Sequence, residues 1–206
     1  VKALRAKGNI VSMTGDGVND APSLKQADVG VAMGITGTDV AKGAADVVLT
    51  DDNFSSIVKA VEEGRNIYRN IKKSILFLLS CNFGEIIALF LAILLGWATP
   101  LRPIHILWVN LITDTLPALS LGVDPEDSDV MKEKPRRAKE SLFSGSVPFL
   151  IFNGVVIGFL TLAAFIVGAK LYAGDTNLFP LFPEQIDEDA LLHAQTMAFV
   201  VLSFSQ

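Results

Sequence analysis

Ser74–Leu95 is a run of 22 residues with one formal charge, that of Glu85. A helix needs about 20 mostly apolar residues to cross the hydrocarbon core of a bilayer. Inside lipid, every backbone polar group must be satisfied within the segment, so such a run leaves few folds open. Ile104–Val123 is a second run, carrying only Asp114, and Pro148–Tyr172 a third, with Lys170 near its end. Leu191–Gln206 begins a fourth that stops mid-span. The runs account for a composition of 50% hydrophobic and 19% charged residues in 206, with mean hydropathy +0.45. Soluble domains carry about a quarter charged residues, and disordered chains far fewer apolar ones. A single cysteine, Cys81, rules out an internal disulfide framework. The 17 basic against 22 acidic residues, a formal net charge of −5, speak against a nucleic-acid partner.

Residues 1–64 have another character. Ile10–Thr14, Val29–Met33 and Val47–Leu49 are apolar runs of strand length bounded by Gly or Asp. Ala21–Ala27, Thr38–Ala44 and Phe54–Gly64 read as helices between and after them. Alternating strands and helices predict a parallel sheet with right-handed crossovers. Three strands make a poor stand-alone domain, because a parallel sheet has both faces covered. The expected fold class is therefore α/β plus membrane all-α. Residues 1–64 read as the C-terminal part of a cytoplasmic domain, and 65–206 as a transmembrane domain with spans at about 74–95, 104–123, 148–172 and 191–206. A chain that starts inside one fold and ends inside a helix is expected to be a fragment, and no signal peptide opens it.

Basic residues set the orientation. Arg65, Arg69, Lys72 and Lys73 precede the first span, and Lys132, Lys134, Arg136, Arg137 and Lys139 lie between the second and third. The opposite side has Arg102 alone in a short turn, and later Asp175, Glu184, Asp187, Glu188 and Asp189. Residues 1–73 and 124–147 are thus expected in the cytoplasm of a multi-pass membrane protein. No Gly/Pro/Ser-rich linker stands between Asn66 and Ser74, so a continuous helix there would pass motion into the first span.

Thr14-Gly15-Asp16-Gly17-Val18-Asn19-Asp20 follows a strand and precedes a helix. Loops at the carboxyl ends of parallel strands converge on a ligand crevice. A carboxylate there suits Mg²⁺, which takes one or two carboxylates plus phosphate oxygens and keeps its waters. Asp16 is the candidate metal ligand, Asn19 a hydrogen-bond partner for a phosphoryl oxygen, and Asp20 the residue that orients the loop. An EF-hand would need an acid or amide at Val18, and no G-x-x-x-x-G-K-[ST] phosphate loop occurs.

Ionisable groups at bilayer depth are costly and point to function. Asn82 and Glu85 are three apart on one helical face, and Asn110, Thr113 and Asp114 stand at i, i+3 and i+4 on another. Facing helices would bring together carboxylate, amide and hydroxyl oxygens, a set suited to Ca²⁺ or another hard cation. Pro117 weakens the helix just after Asp114. Interhelical hydrogen bonding is the simpler role for Thr113. Gly154-x-x-x-Gly158 permits close helix packing. His105 and His193 sit near span ends, and Cys81 packs as a small hydrophobe.

The run TGDGVNDAPSLKQADVGVAMG (Thr14–Gly34) resembles the hinge motif of P-type cation-transporting ATPases, whose phosphorylation domain is haloacid-dehalogenase-like. ADVVLTDDNFSSIVKAVEEGRNIYRNIKK (Ala45–Lys73) resembles their link into the fifth transmembrane helix, and ILWVNLITDTLPALSLGVDP (Ile106–Pro125) the sixth helix of the calcium-pump branch. The resemblance covers essentially the whole chain. It implies ATP-driven export of Ca²⁺, or a similar divalent cation, through a phosphoenzyme, with ATP and Mg²⁺ as cofactors and residence in the plasma membrane. Asn82, Glu85, Asn110, Thr113 and Asp114 match ion-ligand positions, and Gln206 stands where that branch has a glutamate, which implies one Ca²⁺ per cycle or altered counter-transport. The resemblance also implies partners in the remainder of the pump: actuator domain, nucleotide domain, first four helices and the phosphorylated aspartate, without which this piece is expected to be inactive. The alternatives are a pump for Mn²⁺, Na⁺ or H⁺, and a non-catalytic membrane module derived from a pump.

Overall fold

The computed structural model describes residues 1–125, 129–136, 140–173 and 186–205. Two compact units divide it. The first takes Val1–Tyr68 and the described residues of 126–141, the second Arg69–Pro125 and the described residues from Leu142 onward.

In the first unit, β1 (Ser12–Gly15), β2 (Val29–Met33) and β3 (Val47–Leu49) form a parallel sheet in the order β1-β2-β3. Ser12 pairs with Val29, and Val31 with Val47. α1 (Lys2–Ala6) comes first, an element the basic residues at the start do not announce. α2 (Ala21–Gln26) and α3 (Asp39–Ala44) make the crossovers and bury Leu24, Ala32 and Ala41 between themselves and the sheet. Pro22 in the first turn of α2 costs no hydrogen bond, and the Thr38 hydroxyl caps α3 by accepting the Ala41 N–H. Two Ala-Asp-Val tripeptides open β2 and β3 in the same way. Asp28 accepts the Val11 N–H at 2.9 Å and Asp46 the Gly30 N–H at 2.8 Å, so each aspartate ties its strand entry to the strand before.

α4 runs unbroken from Phe54 to Leu94. Its 41 residues correspond to roughly 60 Å of helix, about twice a hydrocarbon core. Gly64 is accommodated inside it with no kink-forming Pro nearby. α5 (Pro103–Trp108) passes through a π-helical segment (Val109–Thr113) into α6 (Thr115–Gly122), and α7 (Val147–Ala173) and α8 (Glu188–Phe204) complete the chain. Among the described residues, three stretches are long and apolar enough to cross a membrane: Phe54–Leu94, Pro103–Gly122 and Val147–Ala173. α8 has 17 residues, somewhat short of a full crossing.

The second unit packs through small residues. Cβ atoms added at Gly154 and Gly158 of α7 would collide with Phe83 and Ile87 of α4, and one at Gly84 with Ile157. The Gly-x-x-x-Gly pair therefore serves packing within the chain, where backbone approach replaces the missing hydrophobic drive between helices in lipid. Phe165, Val109, Leu202 and Ala198 form the main core, with Ala88, Ala92 and Leu162 beside it. α4 runs antiparallel to the α5–α6 stretch. Lys73 pairs with Asp124, Asn70 Nδ2 donates to the Asp124 carbonyl at 2.9 Å, Ser74 Oγ to the Ala118 carbonyl at 3.0 Å, and Asn110 Nδ2 to Glu85.

Candidate functional site

The first site lies at the carboxyl ends of the strands. A crevice of about 460 Å³ is lined by Thr14, Gly15, Asp16, Asp20, Met33, Thr36 and Asp52. Asp20 turns its carboxylate back on the loop, and Oδ2 accepts the N–H groups of Asp16 and Gly17 at 3.2 and 3.1 Å. The turn is tight enough that a Cβ at Gly15 would strike the Asp20 side chain. Among the described residues, no hydrogen bond or ion pair engages the Asp16 carboxylate, which is exposed at the mouth. Asn19 is exposed and does not line the crevice.

Asp52 is a wall residue that the loop motif does not reveal. Its φ is +50°, the left-handed region that Asp tolerates better than most residues. Its Oδ1 accepts the N–H groups of Gly34 and Ile35, and its Oδ2 the N–H and hydroxyl of Thr36. These donors, the Ile35 N–H first among them, lower its carboxyl from 3.8 to about 2. The Ser56 hydroxyl and Asn53 N–H likewise hold Asp51 below its ordinary value. Like Asp16, Asp52 follows the carboxyl end of a parallel strand, but that placement does not disclose the partners that give its carboxylate a role.

The second site is in the second unit. Asp114 is 1% exposed and Glu85 4% exposed. Among the described residues, neither Asp114 oxygen has a hydrogen-bond partner. Asn110 Nδ2 lies 3.2 Å from Glu85 Oε2 and also donates to the Ile106 carbonyl at 2.9 Å. Asn82 and Thr113 are turned onto their own helices, donating to the carbonyls of Leu78 and Val109. The structure thus joins Glu85 to Asn110 directly, while the Asn82 amide and the Thr113 hydroxyl donate within their own helices. Among the described residues, no three His, Cys, Asp or Glu side chains converge as a ready-made metal-binding group. Gln206 lies outside the described residues.

Asp114 follows the π-helical segment, its N–H bonding five residues back to the Val109 carbonyl at 2.9 Å. Pro117 contributes to this break: it has no N–H for the Thr113 carbonyl, and its ring crowds that turn. Such π segments commonly mark functional positions. Cys81 is buried at 1% exposure, one turn before Glu85.

A small parallel-sheet unit with an unengaged acid in its crevice, followed in the chain by helices long and apolar enough to cross a membrane, defines a membrane protein with an α/β part. Residues 98–206 match the family model described as "Cation transporting ATPase, C-terminus", and the chain belongs to that family. It is 96% identical to Calcium-transporting ATPase 1 of Bacillus cereus over 206 residues, all of this chain and 23% of the relative. It is 51% identical to the calcium-transporting ATPase of Bacillus subtilis over 207 residues, 100% of this chain and 22% of that protein. With the endoplasmic reticulum-type Calcium-transporting ATPase 3 of Arabidopsis thaliana it shares 53% identity over 217 residues, 98% of this chain and 21% of the relative. The chain spans between a fifth and a quarter of the length of these relatives.

Proposed function

We propose that this chain supplies the phosphorylation crevice and part of the ion path of a P-type ATPase that exports Ca²⁺ from the cytoplasm. The observation that carries the reading is Asp114, a carboxylate buried in an apolar helix with both oxygens unpartnered among the described residues. A carboxylate kept for packing would be hydrogen-bonded, because burying it bare is costly. One that takes up and releases a cation must keep its oxygens open. The names of the relatives, calcium-transporting ATPases, support Ca²⁺ as the ion.

The donor set at the crevice fits Mg²⁺, an exposed carboxylate in a loop whose shape Asp20 holds. Asp16 would hold the ion, and Asn19, exposed in the same loop, would hydrogen-bond a phosphoryl oxygen. When bound, Mg²⁺ neutralises charge on the transferring phosphoryl group. ATP and the phosphorylated aspartate belong to the remainder of the pump, and the sheet is the C-terminal part of a haloacid-dehalogenase-like domain. In the membrane, Glu85 and Asp114 are the charged ligands. Asn110 joins them by turning its amide so that oxygen replaces nitrogen toward the ion, and Asn82 and Thr113 by rotating off their own helices. Gln206 in place of a glutamate leaves one Ca²⁺ per cycle. α8 is the fourth span, and residues 1–73 and 124–147 face the cytoplasm at the plasma membrane.

The test is ATP-dependent uptake of labelled Ca²⁺ into vesicles carrying the full-length pump, with Asp114→Asn beside wild type. Loss of one charged ligand is expected to lower apparent Ca²⁺ affinity by about tenfold or more. Equal uptake by the two at limiting Ca²⁺ would refute the assignment.

A further inference from the structure

We propose that Asp52 is a positioning residue of the crevice, fixing Thr36 in its wall as a hydrogen-bond acceptor for a hydrated Mg²⁺. The inference rests on the phosphorylation reading of that crevice. Thr36 and Asp52 line the same crevice as Thr14, Asp16 and Asp20. Thr36 follows β2, whereas Asp52 follows β3, so the anchor comes from the neighbouring strand. The N–H groups of Gly34, Ile35 and Thr36 all point to one carboxylate, a nest of the kind that binds anions, filled here by the chain itself. Gly34 and Gly37 close the wall further, since a Cβ on either would run into the backbone of Leu49 or Met33.

The fourth bond sets the chemistry. An ionised carboxylate only accepts, so in the 2.8 Å contact between Thr36 Oγ1 and Asp52 Oδ2 the hydroxyl proton is committed to Asp52. Towards the crevice the Thr36 oxygen can then only accept. Water held by Mg²⁺ presents protons, and Mg²⁺ keeps several of its waters when bound. Asp52 therefore selects both the position and the polarity of Thr36 without touching the ion.

Asp52→Asn and Asp52→Gly test this in the full-length pump. Both residues accept a φ of +50°, so the backbone is preserved while the carboxylate is lost. Two readouts are taken: the Mg²⁺ concentration for half-maximal phosphorylation from inorganic phosphate, and hydrogen exchange at residues 34–36 without Mg²⁺ or nucleotide. Both variants are expected to need about tenfold more Mg²⁺, the scale of one hydrogen bond to a charged group. Exchange at 34–36 should rise while the Ca²⁺ concentration for half-maximal activation stays unchanged. Thr36→Val should reproduce the Mg²⁺ shift with little added exchange. An unaltered Mg²⁺ requirement in Asp52→Asn would overturn the proposal, as would equal shifts for Mg²⁺ and Ca²⁺, which signal general damage. If Asp52→Gly does not fold, Asp52→Asn and Thr36→Val decide the matter. Asp16→Asn separates this inference from the reading beneath it: if that variant is phosphorylated like wild type, the crevice assignment itself has failed.

Discussion

Asp20 and Asp52 spend their carboxylates on backbone N–H groups, while Asp16 and Asp114 keep theirs unengaged among the described residues. The division separates carboxylates that shape a loop from carboxylates left open, which are the proposed ligands. It also has a pH signature. The Asp52 carboxyl is lowered from 3.8 to about 2, so its ionised form is favoured by the native loop. That contribution is complete above about pH 4 and is lost as the pH falls through about 2, because the unfolded state then binds protons more readily than the folded one. Protection of the Gly34, Ile35 and Thr36 amides in the full-length protein, corrected for intrinsic exchange, should fall across that window in wild type. In Asp52→Asn it should be low and flat. Asp16, Asn19 and Asp20 stand out in the sequence because they fall within one short run, residues 14–20, that follows a strand. Asp52 does not, because its partners stand 16 to 18 positions earlier and meet it only through the register of β2 on β3.

The strands and crossover helices were legible as elements because each apolar run is cut by Gly or Asp, and β2 and β3 fall at Val29–Met33 and Val47–Leu49 as expected. β1 begins at Ser12 instead of Ile10, since pairing with Val29 and not hydrophobicity sets where it starts. The π segment was legible only as a weakness at Pro117, because its position depends on which carbonyl the Asp114 N–H reaches. Close packing of α7 was expected from Gly154 and Gly158, but its partner, α4, was not named by the sequence pattern. One substitution made at two glycines separates propensity from packing. Gly64→Ala, in α4 with nothing within 4 Å of the new methyl, is expected to stabilise by about 1 kcal/mol. Gly158→Ala places its methyl 2.8 Å from Ile87 Cγ2 and 3.0 Å from the Gly84 carbonyl. Overpacking of this kind costs about 1–3 kcal/mol. Thermal inactivation of the full-length pump should move up for the first and down for the second; a downward shift for both would mean that Gly64 is needed for something other than helix formation.

At the scale of the molecule, the two ends of the second unit differ in charge. One end gathers Lys72, which donates to the Ser144 carbonyl at 3.3 Å, and Lys73, paired with Asp124. At the other, Gln195 Nε2 donates to the Thr99 carbonyl, and Asp187, Glu188 and Asp189 open α8. Translocation is decided mainly by Lys and Arg in short loops, with acidic residues counting for little. The Lys72 end should therefore remain in the cytoplasm and the Asp187 end should be outside. Ser144 and Asp187 are both exposed and flank α7, whereas Cys81 is 1% exposed within a span and should stay silent to thiol reagents. In a full-length pump freed of other accessible cysteines, an impermeant maleimide applied to intact cells should label Asp187→Cys. It should label Ser144→Cys only after permeabilisation. The reverse pattern would invert the proposed direction of transport, since the Asp16 crevice would then face away from cellular ATP. Labelling of both from one side would mean that α7, despite 27 residues and the highest hydropathy of the three candidate spans, does not cross. The proposed cation site would then lose the helix whose glycines seat α4, and with it the packing beside Glu85.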